Sequence, residues 1–216
     1  MWWGTVQLLL TDRLACPRCG PTFGLILLAD HLTERRVHDG VLGCPNCRDS
    51  FTIVDGFADL RAPPRGEVAR GLAGSPEERA EDSDLAFRMI ALLAIPRGPG
   101  TVALVGGPAR HAAPLVEAVE ELEVVAVDGD LRGWGDVLGV SRVTSAPGLP
   151  FFSRVLRGVV VDGRLGKGLV FEAARVVSPM SRVVVVHAPE DTGRVLEDAG
   201  LTVLAEESET VVAARA

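Results

Sequence analysis

Apolar residues are distributed along this chain in two different patterns. From residue 101 onward they arrive as short unbroken runs: Thr101-Val102-Ala103-Leu104-Val105, Val124-Val125-Ala126-Val127, residues 140–144, Val159-Val160-Val161 and Val183-Val184-Val185-Val186. Runs of β-branched residues without polar alternation predict strands buried on both faces, hence a parallel sheet covered by helices. Helices are expected between them at 109–121, 167–177 and 192–199. Leu201-Thr202-Val203-Leu204-Ala205 and Thr210-Val211-Val212-Ala213-Ala214 read as an antiparallel hairpin on the sheet edge. The fold class that follows is α/β, a doubly wound, mostly parallel Rossmann-like sheet.

Before residue 62 the runs are shorter. Leu25-Ile26-Leu27-Leu28 and residues 37–42 flank a polar segment, 30–39, which predicts a hairpin with His31 and His38 in its solvated tip. Phe51-Thr52-Ile53-Val54 is a third strand, leading into Asp55-Gly56-Phe57-Ala58-Asp59-Leu60-Arg61. Ala62-Pro63-Pro64-Arg65-Gly66 breaks the pattern, and residues 71–74 add a second weak point. Ser75-Pro76-Glu77-Glu78 has the form of a helix start, with Ser as N-cap, Pro at the first position and Glu closing a capping box. A more apolar helix is expected from Ser83, ended by Pro96. The division read from these breaks is 1–61 for a small β-rich unit, 62–83 for a linker and first helix, and 84–216 for the α/β domain.

Chemistry enters with four cysteines. Cys16-Pro17-Arg18-Cys19 and Cys44-Pro45-Asn46-Cys47 are the chain's only cysteines, in two pairs with twenty-four residues between them. That spacing is the ligand arithmetic of a four-thiolate zinc site. Proline fixes φ in each tight knuckle, and backbone N–H groups can donate to the sulfurs. Four thiolates close the coordination shell, so the expected zinc is structural. A unit this small has little core of its own, and bound metal would supply much of its folding free energy.

The totals narrow the partners. With 47% hydrophobic residues in 216 there is ample material for a buried core. The net charge is −7 and Lys167 is the only lysine, which disfavours RNA or DNA, whose binders need a basic face. No apolar run reaches the ~18–20 residues of a membrane span. The start lacks the basic front and cleavage site of a signal peptide, and reduced paired cysteines suit the cytoplasm. A protein partner or protein substrate fits better than a nucleic acid.

Leu14-Ala15-Cys16-Pro17-Arg18-Cys19, the second Cys-Pro-x-Cys and Asp55-Gly56-Phe57-Ala58-Asp59-Leu60 resemble the Trm112-type zinc ribbon over about residues 8–61. Such ribbons act as partner domains that stabilise methyltransferases, as separate subunits or fused in cis. Residues 100–216 resemble, segment by segment, a class I S-adenosylmethionine-dependent methyltransferase. Val105-Gly106-Gly107-Pro108-Ala109 aligns with the glycine motif, Val125-Ala126-Val127-Asp128 with the ribose-binding strand end, Gly148-Leu149-Pro150-Phe151 with the "D…LPF" segment. The segment from Glu172 to Val184 resembles "EAARVLKPGGRLVV". The combination also resembles ribosomal-RNA guanine methyltransferases with an N-terminal zinc domain.

The resemblance implies S-adenosylmethionine as cofactor, with Gly106 and Gly107 forming the close-approach turn and Asp128 accepting the ribose hydroxyls. Ser145 stands where an acid normally contacts the adenine amine. Asp162, after Val159-Val160-Val161, sits where this fold often places a catalytic group. His111, Trp134 and His187 are expected as ordinary helix-surface, core and strand-end residues. The departures concentrate on the cofactor motifs: Leu104 replaces an acid, Pro108 and Arg110 replace small residues, and Met180-Ser181 replaces a Gly-Gly turn. Two functions therefore stand side by side, a methyltransferase with a fused ribbon, and a pseudo-methyltransferase serving as a structural or regulatory subunit.

Overall fold

The computed structural model describes residues 6–75 and 83–216. The chain opens with β1 (Val6–Gln7) and α1 (Leu8–Thr11), then runs through β2 (Ile26–Thr33), β3 (Arg36–Gly43), β4 (Ser50–Val54) and β5 (Phe57–Arg61). After the connector come α2 (Ser83–Leu93), β6 (Gly100–Val105), α3 (Ala112–Ala118), β7 (Leu122–Val127) and β8 (Val140–Ala146). β9 (Leu156–Asp162), α4 (Lys167–Val176), β10 (Val177–Val186), α5 (Thr192–Asp198), β11 (Thr202–Glu207) and β12 (Thr210–Ala214) complete it. The helix start expected at Ser75-Pro76-Glu77-Glu78 lies outside the described residues, apart from Ser75 itself.

All these strands belong to one sheet, in the order β1-β3-β4-β5-β8-β7-β6-β9-β10-β12-β11, with β2 on the free side of β3. β8-β7-β6-β9-β10 is the parallel 3-2-1-4-5 order of a doubly wound sheet, and β12 and β11 close its edge as the expected antiparallel hairpin. The order reverses between β6 and β9, so a crevice opens over their carboxyl ends. The cysteine-bearing meander joins through β5, which pairs in parallel with β8 from Phe57↔Arg142 to Arg61↔Ala146. Leu14 bridges Phe151, the Ala15 N–H donates to Pro150 O at 2.9 Å, and Phe152 N–H donates to Arg13 O at 3.0 Å.

Alternation along each parallel strand divides two cores. Ala103, Val105, Val125, Val127, Val159, Val161, Val183 and Val185 face α4, α5 and the ribbon, whose Leu14, Phe51 and Ile53 belong to the same cluster. Val102, Leu104, Val124, Ala126, Val160 and Val184 face α2 and α3. Period-2 alternation thus places a strand's successive valines in different layers, which is why the runs carry no polar residues. Phe51, Phe151, Leu14 and Leu156 are all but completely buried; each contributes about 1.5–3 kcal/mol by leaving water.

Several elements differ from the sequence expectation. The hairpin continues through the polar segment, because Glu34 and Arg35 turn the chain in two residues with φ of 50° and 63°. Such a turn matches strand twist and lets the ladder run to its last pair. His31 and His38 therefore sit on strands, their rings stacked at 4.5 Å, and not in a tip. The helix expected over 109–121 is a 3₁₀ turn at Gly107–His111 followed by α3, which ends at Ala118. Pro108 at the start favours the tight turn, and Leu122 is already drawn into β7 by pairing with Gly100.

Candidate functional site

The metal centre is built by the two knuckles. The four Sγ atoms of Cys16, Cys19, Cys44 and Cys47 lie within 4.8 Å of one another. Zinc at ~2.3 Å from each sulfur needs a tetrahedron with edges of ~3.8 Å. Cys16–Cys47 is 3.7 Å and Cys44–Cys19 is 3.8 Å, so the thiols already have the size of the shell. Cys19 N–H donates to Cys16 Sγ at 3.4 Å, and Asn46 Nδ2 donates to Cys19 Sγ at 3.3 Å. Burial raises Cys44, but N–H groups of Cys47 and Asn46 outweigh it and bring it to about 7. Burial and the neighbouring thiols push Cys47 up to about 12. Four thiols this close ionise together only beside a dication. The cluster fits zinc and leaves no open ligand position.

Over the carboxyl ends of the parallel strands the structure assembles the expected cofactor residues, and adds a segment to them. Asp128 follows β7, Gly106 and Gly107 follow β6, Asp162 ends β9, and Ser145 lies near the end of β8. The connector crosses Asp128. Its Ala73 N–H donates to Asp128 Oδ2 at 2.6 Å. A Cβ placed on Gly71 would overlap the Asp128 carboxylate, and one on Gly129 would overlap Ala69 O and Gly71 N. Two glycines therefore allow the connector to touch the strand end. Asp130 N–H donates to Ala69 O at 2.9 Å, Arg61 Nη1 to Glu67 O at 3.0 Å, and Arg110 Nη2 to Leu72 O at 3.2 Å. Residues 71–74, expected as a weak point, are pinned.

The glycine turn is also occupied. Gly106 has φ of 76°, the conformation that favours glycine. A Cβ there would stand 2.7 Å from Leu165 Cδ1 and 3.0 Å from Asp162 Cβ, and one on Gly107 would stand 2.7 Å from Asp162 Oδ2. The room left by the missing side chains holds the chain's own Asp162 and Leu165. Leu104, in place of the expected acid, is core. Ser145 Oγ donates to Gly148 O at 2.6 Å. Met180 takes the positive φ, 59°, of the turn it occupies in place of glycine. The cavity remaining beside Asp128 and Ser145 measures 260 Å³, below the ~300–1,000 Å³ that encloses a drug-sized ligand. In this arrangement the residues present do not fit S-adenosylmethionine.

Asp162 is fully buried and bound by Arg164 on both oxygens, Nε to Oδ1 at 2.9 Å and Nη2 to Oδ2 at 2.6 Å. Burial alone would raise its pKa; the Arg164 hydrogen bonds outweigh that and hold it below the usual carboxylate range. His187 Nδ1 stands 3.4 Å from Oδ2. Trp134 lies in the α3-side core, and His111 is buried in the 3₁₀ turn, not on the helix surface.

Two arginines escaped the sequence reading. Arg142, inside β8, is buried and donates through Nη1 to the carbonyls of Leu131, Arg132 and Trp134 and through Nη2 to Asp55 O at 2.9 Å. Desolvation lowers its pKa. A single arginine between Val140 and Val143 in an expected strand was the available signal. Arg88, on α2, stands with Arg110 on a separate cleft of 750 Å³, with no feature in the sequence to connect them.

No family model matches the sequence, and no curated protein matches it. Among solved structures, precorrin-6y C5,15-methyltransferase from Geobacter metallireducens aligns at TM-score 0.49 and 12% identity, covering 66% of this chain and 94% of that one. A chain of the complex between the Haloferax volcanii Trm112 methyltransferase activator and the putative methyltransferase aligns at 0.47 and 17%, covering 60% and 74%. The [4+2]-cyclase SpnF aligns at 0.48 and 14%, covering 68% and 66%. Most of these neighbours are named as methyltransferases, and the likeness is one of fold. Among the described residues no helix is long and apolar enough to cross a membrane.

Proposed function

We propose that this chain is a pseudo-methyltransferase, a Trm112-like zinc ribbon at 1–61 fused through the linker 62–83 to a methyltransferase-fold domain at 84–216. It serves as a structural or regulatory subunit for a protein partner in the cytoplasm. The observation that carries the reading is the Ala73 N–H donated to Asp128 at 2.6 Å. The carboxylate expected to accept ribose hydroxyls accepts the chain's own backbone. A nucleoside would have to break that bond and lift the glycine contact between connector and strand end, at a cost of about 1.5–3 kcal/mol for the charged hydrogen bond alone. The zinc is structural in this reading, and β5 carries its effect into the sheet edge.

The rival reading is an active methyltransferase whose connector leaves Asp128 when S-adenosylmethionine arrives, and it is favoured by the retained Gly106 and Asp128 at matching strand ends. Calorimetry separates the two. With S-adenosylmethionine or its demethylated product at millimolar concentration, the expected outcome is no saturable heat. Saturable binding that Asp128→Ala abolishes would establish the enzyme reading instead.

A further inference from the structure

We infer that the cleft over the carboxyl ends of β6, β9 and β10 is a binding site for a small amphipathic anion, a carboxylate or phosphate on an aliphatic body. The cleft lies at the point where strand order reverses, the place where open α/β sheets take their ligands. Its 750 Å³ falls within the range of small-molecule pockets. It shares no lining residue with the cavity beside Asp128, so the inference does not depend on whether the ribose position admits a cofactor.

The walls define the ligand. Leu85, Met89, Leu92 and Val186 supply an aliphatic surface without an aromatic ring. Arg88 and Arg110 supply the positive charge, against one acidic residue in the lining, Glu209. Arg88 is exposed and has no hydrogen bond or ion pair among the described residues, and Arg110 is half-buried and gives one N–H to Leu72 O. A guanidinium carries five donors in a planar fork that matches carboxylate and phosphate oxygens. Neither arginine has a carboxylate partner among the described residues, in a chain whose net charge is −7. By contrast Arg164, on the same cleft, is held by Asp162. His187, also in the lining, has φ of 48°. Such strain in a residue other than glycine persists where surroundings hold it, and it concentrates at ligand sites.

The test uses the zinc-loaded full chain and four eight-carbon probes in calorimetry: octanoate, octyl phosphate, octanol and octylamine. One or both anions are expected to bind saturably at one per chain, with octanol about tenfold weaker and octylamine not binding. The stronger of the two anions identifies the head group. Arg88→Gln, on an exposed helix position, is expected to weaken anion binding about tenfold and leave octanol unchanged; Arg110→Gln is expected to do the same. Circular dichroism checks that both variants fold. Absence of saturable anion binding at millimolar concentration would overturn the inference. So would octanol or octylamine binding as tightly as the anions, or an Arg88→Gln protein that binds them like the parent chain.

Discussion

Asp128 and Ala73 are fifty-five residues apart and joined by a 2.6 Å hydrogen bond, from the backbone N–H of the connector to the carboxylate at the end of β7. The bond ties the connector to the sheet at the point where a Rossmann-like fold would hold a ribose. Asp128→Ala is expected to lower unfolding free energy by about 2 kcal/mol and to speed hydrogen exchange at Ala73. Urea denaturation and exchange measured by mass spectrometry check both. A variant of parental stability with unchanged exchange would show that the bond does not hold the connector.

Gly71 gives a second handle on the same contact. Any Cβ there meets the Asp128 carboxylate, so Gly71→Ala must displace either connector or carboxylate. The expected result is a loss of stability comparable to Asp128→Ala, non-additive with it because both act on one contact. A double-mutant cycle in urea provides the measurement, and fully additive losses would contradict the shared origin.

Removal of metal has a predictable route through the structure. One zinc per chain is expected by elemental analysis, and excess chelator should unfold residues 8–61. The parallel pairing of β5 with β8 would then be lost, exposing the unpaired N–H and C=O groups of β8 along that sheet edge. Aggregation after chelation, followed by light scattering, is the expected readout. A protein that stays folded and monomeric without metal would contradict it. Cys44→Ser should reproduce the effect.

Arg142 couples the ribbon's Asp55 turn to the loop after β7 through its two Nη groups. Arg142→Leu fills the space and leaves those carbonyls unpaired, which is expected to cost about 3 kcal/mol. Arg142→Lys should recover little, since an ammonium lacks the fork that reaches both segments. Thermal melts of the two variants test this. Parity of the lysine variant with the parent would argue against the bridging role.

The acid limb of stability should report Asp162. Its folded-state pKa is depressed, so the protonated form favours the unfolded chain. The Asp162–Arg164 interaction is fully present above the ordinary carboxylate pKa of ~3.9 and is lost as pH falls through the lower folded value. Asp162→Asn is therefore expected to be less stable than the parent at pH 7 and to show a shallower fall in stability below pH 4. Denaturation at a series of pH values measures the slope, and identical slopes would remove Asp162 from the acid response.

Local chemistry was legible without coordinates. The Cys-Pro-x-Cys knuckles are determined by a few bonds of chain, so proline and spacing alone placed the four sulfurs. The Val runs of β6, β7, β9 and β10 predicted a doubly covered parallel sheet because burial on both faces is a property each strand carries itself. The tertiary structure alone decided what those pieces meet. The pairing of β5 with β8, the seat of Ala73 on Asp128, the reach of Arg142 to Asp55 and the placement of Arg88 and Arg110 on one cleft all bring together residues far apart in the chain. Their partners are selected by packing rather than by any local pattern. Gly71 carried no distinguishing signal, since a glycine needed for flexibility and one needed for close contact look alike in sequence. Whether Gly106 and Asp128 face an open crevice or the chain's own connector depends on where residues 67–73 settle, and that is a matter of tertiary contact.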